Sequence, residues 1–150
     1  RANVGYVHAI AHQFGGRYHT PHGLANAIML PHVLEFSMPE IIDRMADMAR
    51  RAKVASADED DDTAAQKFLD AVVQMNRDLG IPSHLAALKE DDIRVLAKAA
   101  CNEAETGYPV PRYMTQEVCE GIIRQALPPQ SAPAKAASTK PTPRKRKAAA

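Results

Sequence analysis

The residues best able to do chemistry sit near the start of the chain: Val7-His8-Ala9-Ile10-Ala11-His12, followed by Pro21-His22-Gly23. Four of the six histidines fall here, namely His8, His12, His19 and His22. His8 and His12 are four apart, a spacing that stacks two side chains on one face of a helix, one turn apart. Two imidazoles so placed can aim at a single metal ion, for which neutral imidazole is the commonest protein ligand. His22 lies beyond a turn expected at Gly15-Gly16 and can return to the same place from a second segment. Histidines at short spacing also decorate solvated helix faces or sit satisfied in cores. The neighbours favour a shared polar centre, because Val4, Gly5, Tyr6, Val7, Ala9, Ile10 and Ala11 are small or apolar. Such a helix is expected to be buried, and a buried imidazole needs a partner.

The elements that must hold these rings read as helices. The first spans about 4–14 and ends at Gly15-Gly16. The second spans about 23–30, with Asn26 as a hydrogen-bonding strut. Pro31 kinks or restarts it, since proline lacks a backbone donor and clashes with the preceding turn. Ser37-Met38-Pro39-Glu40 has the form of a capped helix start, for a helix to about 51 that buries Ile41, Ile42, Met45, Met48 and Ala49. The acidic connector 55–62 suits the N-terminus of the helix after it. That helix, about 63–79, turns Ala64, Phe68, Ala71, Val72, Met75 and Leu79 inward. A short helical turn at 83–88 carries His84 on the surface. Glu90-Asp91-Asp92 opens a helix that buries Ile93, Val95, Leu96, Ala99 and Ala100, and residues 101–112 read as a loop. Thr115 caps a last helix, about 116–126.

Composition agrees with helix: aromatics are 5% with no Trp, and Val, Ile and Thr form no alternating runs. The expectation is an all-α bundle of about six to seven helices over residues 1–127. Residues 128–150 form a Pro/Ala/Lys-rich basic tail, expected to be disordered because it cannot bury enough apolar surface to offset the entropy of ordering. The net charge of +1 hides an asymmetry. Removing the tail's six basic residues from the nineteen leaves thirteen against eighteen acids, so residues 1–130 carry −5. No apolar run approaches the ~20 residues that span a bilayer, and the N-terminus lacks a secretory pattern. Cys101 and Cys119 are too few and too far apart for a disulfide framework, so the chain reads as reduced and cytoplasmic.

The run GYVHAIAHQFGGRYHTPHGLANAIMLPHVLEFSM resembles the signature of the iron-containing (group III) alcohol dehydrogenases. The resemblance rests on His8, His12, Pro21, His22, Gly23, Asn26, Ala27, Leu30, Pro31 and Val33, and extends more loosely to about residue 126. It implies the helical C-terminal domain of the dehydroquinate synthase-like/iron alcohol dehydrogenase fold. By resemblance His8 and His22 correspond to two metal ligands, with Fe2+ the usual ion and Zn2+ an alternative. His12 corresponds to a histidine beside the nicotinamide of NAD or NADP and the substrate, with a proton-relay or positioning role. Residues 101–112 depart from the family's common Cys-Thr-x-x-Asn-Pro-Arg form. Cys101 matches the pocket cysteine or is plain core, and Arg112 is the candidate for the arginine. The family's α/β nucleotide-binding domain and its upstream Asp and His ligands are not in this sequence. The chain is therefore expected to be a fragment, inactive and weakly metal-binding alone, with a small alcohol or aldehyde as substrate. Its protein partner would be the missing nucleotide-binding domain or a second copy. The alternative is a non-catalytic remnant or interaction module, with Arg144-Lys145-Arg146-Lys147 contacting nucleic-acid phosphates.

Overall fold

The computed structural model describes residues 3–129. The basic cluster at 144–147, and with it the expectations of tail disorder and nucleic-acid contact, lies outside the described residues. Within them every regular element is helical: α1 (Tyr6–Tyr18), α2 (His22–Ser37), a 3-10 turn (Met38–Glu40), α3 (Ile42–Arg51), α4 (Asp61–Asp78), α5 (Glu90–Ala104) and α6 (Gln116–Arg124). The all-α expectation holds there. No helix among the described residues is long and apolar enough to cross a membrane.

Helices α1, α2, α5 and α6 enclose the main core, where Ile10, Phe14, Met29, Ile93 and Ile123 are almost wholly buried. Helices α3 and α4 pair through small residues, Ala46, Ala49 and Ala64, which let their backbones approach. A second cluster of Met45, Ala65 and Leu69 seals this pair against Leu34 of α2. Helix α2 is thus shared between the two clusters, which is why its sequence is apolar on more than one side.

Two helix ends differ from expectation. Helix α1 runs through Gly15-Gly16 to Tyr18 because tertiary bonds hold its last turn: Arg17 and Tyr18 both donate to the Asp92 carboxylate, at 2.6 and 2.8 Å. These contacts tie the last turn to α5, while Phe14, wholly buried, anchors the turn before it, so the helix continues across two residues of low helix propensity. The stop falls at His19, which is left-handed (φ 54°) and donates its N–H to the Gly15 carbonyl at 3.0 Å. Helix α5 likewise runs on to Ala104, where the sequence suggests a loop from 101.

Pro31 neither kinks α2 into two elements nor restarts it. Proline at 31 withdraws the N–H that would bond the Ala27 carbonyl one turn back. The Asn76 side chain of α4 replaces that donor, reaching the Ala27 carbonyl at 2.8 Å. The orphaned acceptor is satisfied from a neighbouring helix, so the helix continues. Further differences are smaller. Ser37 makes no cap bond and is itself buried, and residues 83–88 form bends and turns rather than a helix. Leu79 and Val95, expected inside, are 68% and 70% exposed. Asp60 caps α4 by accepting from the Thr63 N–H at 2.9 Å, and Thr115 caps α6.

Asn76→Ala leaves the Ala27 carbonyl without its donor inside the α2–α4 contact. The expected cost is about 1–3 kcal/mol, read as a lower urea midpoint. Restoring the backbone donor with Pro31→Ala in the same chain is expected to recover most of it.

Candidate functional site

The reversal between α1 and α2 brings three histidines together. His8 and His12 project from one face of α1, and His22 is the first residue of α2. The ring centroids of His8 and His22 are 5.3 Å apart with a 52° tilt, and those of His8 and His12 are 6.0 Å apart at 73°. His12 and His22 stand 5.3 Å apart but nearly parallel, at 21°. His19, in the turn, is exposed. The histidine face is more open than the apolar neighbours suggest. Tyr6, Ala9, Ile10, Ala11 and Phe14 take the buried side of α1, while His8 is half-buried and His12 and His22 are exposed.

Whether these rings suit a metal ion follows from their planes. An imidazole bound at about 2.1 Å through nitrogen has its centroid about 3.2 Å from the ion, so two ligands at ordinary angles stand about 4.5–5.3 Å apart. The His8–His22 separation fits that range, and tilted rings can direct in-plane lone pairs to one point. Nearly parallel rings direct theirs side by side, which sets His12 apart from a pair made with His22. Among the described residues no three His, Cys, Asp or Glu donors are grouped closely enough to hold an ion by themselves. The chain offers a pair of ligands here rather than a full set.

Each ring has a distinct setting. Asn26 donates its amide N–H to the His22 carbonyl at 2.8 Å, and the same nitrogen lies 3.0 Å from His22 Nε2. A carbonyl only accepts, so the amino end of Asn26 faces His22 and the ring's Nε2 accepts from it. A metal ion at Nε2 would take the place of that hydrogen bond. The strut expected at Asn26 is therefore real, and its partner is His22. The Asn26 Oδ1 is buried without a hydrogen-bond partner. His8 is held below the ordinary imidazole range, first by burial, then by repulsion from His22 and His12, with Glu103 opposing. The lowered pKa favours its neutral form, the one that binds metal. His8 and Asn26 also stand at the edge of an apolar cavity of about 390 Å³ lined by Val4, Leu30, Val33 and Val110.

His12 has a partner that the sequence reading does not contain. Its Nδ1 lies 2.6 Å from Oε1 of Glu103, in the last turn of α5. Gln13 Nε2 donates to Oε2 of the same carboxylate at 2.8 Å, and the Tyr108 hydroxyl donates to Oε1 at 2.7 Å. That bond pushes the Tyr108 phenol up in pKa. One signal was available in the sequence. A carboxylate near a helix C-terminus opposes the helix dipole, so it needs donors from elsewhere.

Cys101 does not join this group. Because α5 continues as a helix, Cys101 falls on the face of Ala97, Ala100 and Ala104 and is buried in the main core. Its Sγ is 3.8 Å from the Met114 carbonyl, and burial pushes its thiol up. Of the two readings left open for Cys101, pocket lining and core, its burial favours core. Arg112 donates to the Phe36 carbonyl at 2.8 Å and lies 4.6 Å over the Phe36 ring, so it closes the end of α2.

Residues 1–127 match the C-terminal part of the Fe-containing alcohol dehydrogenase family. The chain is 38% identical over 128 residues to 1,3-propanediol dehydrogenase of Klebsiella pneumoniae, covering 84% of this chain and 33% of that protein. It is 40% identical over 106 residues to lactaldehyde reductase of Escherichia coli (strain K12), covering 69% and 28%. A solved structure of 1,3-propanediol oxidoreductase superposes with a TM-score of 0.78 at 36% identity, covering 83% of this chain and 33% of that one. The chain thus spans about a third of the length of the curated relatives it matches.

The histidines fix a pH window for stability. His8 and His32 both have lowered pKa values, chiefly through burial. Above the ordinary value of about 6.5 both folded and unfolded rings are neutral, and stability is full. As pH falls through about 6.5 the unfolded chain takes up protons first, and stability drops until the folded rings protonate too. Asp60 and Asp92, whose pKa values are lowered by hydrogen bonds, act only at more acid pH. Urea midpoints are expected to fall between pH 7 and pH 5, and His32→Gln is expected to flatten that slope.

Proposed function

We infer, because the chain belongs to the Fe-containing alcohol dehydrogenase family, that it is the C-terminal, metal-contributing part of an NAD- or NADP-linked alcohol dehydrogenase. The observation that carries this reading is the pairing of His8 and His22, 5.3 Å apart and tilted by 52°. The two rings come from different helices, His8 from α1 and His22 from the start of α2. They would hold iron(II), or zinc in its place, as part of a ligand set completed by residues outside this chain. When bound, the metal supplies Lewis acidity at the alcohol oxygen and the nicotinamide supplies the hydride acceptor.

The chain's own residues have separable tasks. His8 and His22 bind, and Asn26 orients His22. His12, beside them, holds or moves the proton released as alcohol becomes carbonyl. The relatives' names specify 1,3-propanediol and lactaldehyde, so the proposed substrate is a small alcohol or its aldehyde. The partner is a nucleotide-binding domain. A reducing, cytoplasmic setting belongs to the same proposal and is supported by two free, buried cysteines.

The test is a fusion in which residues 1–127 replace the matching third of the Klebsiella 1,3-propanediol dehydrogenase, loaded with iron(II) without oxygen. NAD-linked oxidation of 1,3-propanediol is expected. His12→Ala is expected to lower kcat about 100-fold, and His8→Ala and His22→Ala to lose iron. A folded fusion that oxidises the diol equally well with both ligand histidines replaced would overturn the reading. For the 150-residue chain alone, titration with zinc is expected to show binding weaker than micromolar. Tight stoichiometric binding contradicts the incomplete ligand set.

A further inference from the structure

We propose that Glu103 is a positioning residue for His12: it fixes the ring proton on Nδ1 and thereby leaves the lone pair on Nε2. The assignment rests on the reading that His12 handles the alcohol's proton, and it adds the group that decides which nitrogen does so.

The geometry supports it in three ways. First, the Nδ1–Oε1 separation is 2.6 Å, short as charge-assisted hydrogen bonds are. A carboxylate only accepts, so the ring nitrogen is the donor. Second, three groups converge on this one carboxylate: His12, Gln13 and the Tyr108 hydroxyl. Two are neighbours on α1, and the third follows α5. Gln13 and Tyr108 bind the carboxylate's two oxygens and hold it still against the ring. Third, no hydrogen bond to His12 Nε2 is formed among the described residues. A ring tied at Nδ1 and free at Nε2 has a single accepting site, and its orientation does not depend on substrate being present.

The consequence is chemical. A neutral imidazole has one N–H and one lone pair, and which nitrogen carries which is set by the bond that the other makes. With Nδ1–H fixed, Nε2 can take a proton from a hydroxyl and give it on to water. The ring is positively charged in between, and the Glu103 carboxylate balances that charge. Without Glu103 the ring can carry its proton on Nε2, and molecules in that form have no lone pair to offer there.

The experiment is nitrogen-15 NMR of the histidine rings in the metal-free 150-residue chain, at a pH where imidazole is neutral. In the wild type His12 is expected as the Nδ1–H tautomer. In Glu103→Gln one weaker acceptor must serve three donors, and the Nε2–H form is expected to rise to a population comparable with Nδ1–H. Glu103→Asp, which restores the carboxylate, is expected to keep mostly Nδ1–H. A purely structural Glu103 would lower the melting temperature and leave the tautomer unchanged, so an unchanged tautomer in Glu103→Gln overturns the proposal. If that variant does not fold, the wild-type spectrum decides, because an Nε2–H ring or an equal mixture contradicts it. The two readings fail separately. A fusion indifferent to His12→Ala removes the catalytic reading, while a tautomer indifferent to Glu103 removes only this assignment.

Discussion

Everything at the site depends on one chain reversal, between Tyr18 and His22. Phe14, wholly buried, pins the end of α1 into the core. His19 then takes a left-handed conformation and returns its N–H to Gly15, while the Thr20 N–H reaches the Phe14 carbonyl at 3.5 Å. Four residues later the chain is running back as α2. That turn carries His22 to within a ring's reach of His8. A different exit angle would leave the same histidines on the same helices with nothing in common. A left-handed non-glycine residue is costly in isolation. It is sustained here because the turns on both sides are fixed by core packing.

The second layer of support comes from the far end of the chain. Helix α5 sends Asp92 to the end of α1 and Glu103 to its middle, so a single helix grips α1 at two places. The first grip decides where α1 stops, and the second decides how His12 is held. Helix α4 does the equivalent for α2 through Asn76. In each case a polar side chain on one helix meets a backbone or ring need on another, and apolar contacts alone would not specify the match.

Much of this was legible from residue types. The helical class, the cap at Thr115, the acidic start of α4 and the core position Ile93 follow from local pattern, and the four-residue spacing puts His8 and His12 on one face; the return of His22 to them depends on the turn between α1 and α2. The misreadings have a shared cause. Gly15-Gly16, Pro31 and the stretch from Cys101 each carry a local signal to stop a helix, and each is overruled by a contact distant in sequence: Asp92, Asn76 and the core face of α5. Glu103 was missed for the same reason. Its importance lies in donors from α1 and from the loop after α5, and no window of sequence contains both. Met48, Met75, Leu79 and Val95 lie on the apolar stripe that helical periodicity marks yet are exposed, because periodicity gives a stripe but not its width.

The bond between residues 12 and 103 joins positions 91 apart in the chain. Closing a loop of that size has an entropic cost that must be met before the contact returns anything, and such long-range pairings form late. The α1–α2 hairpin brings the three rings together by itself, but the carboxylate that fixes the third of them arrives only when α5 packs against α1.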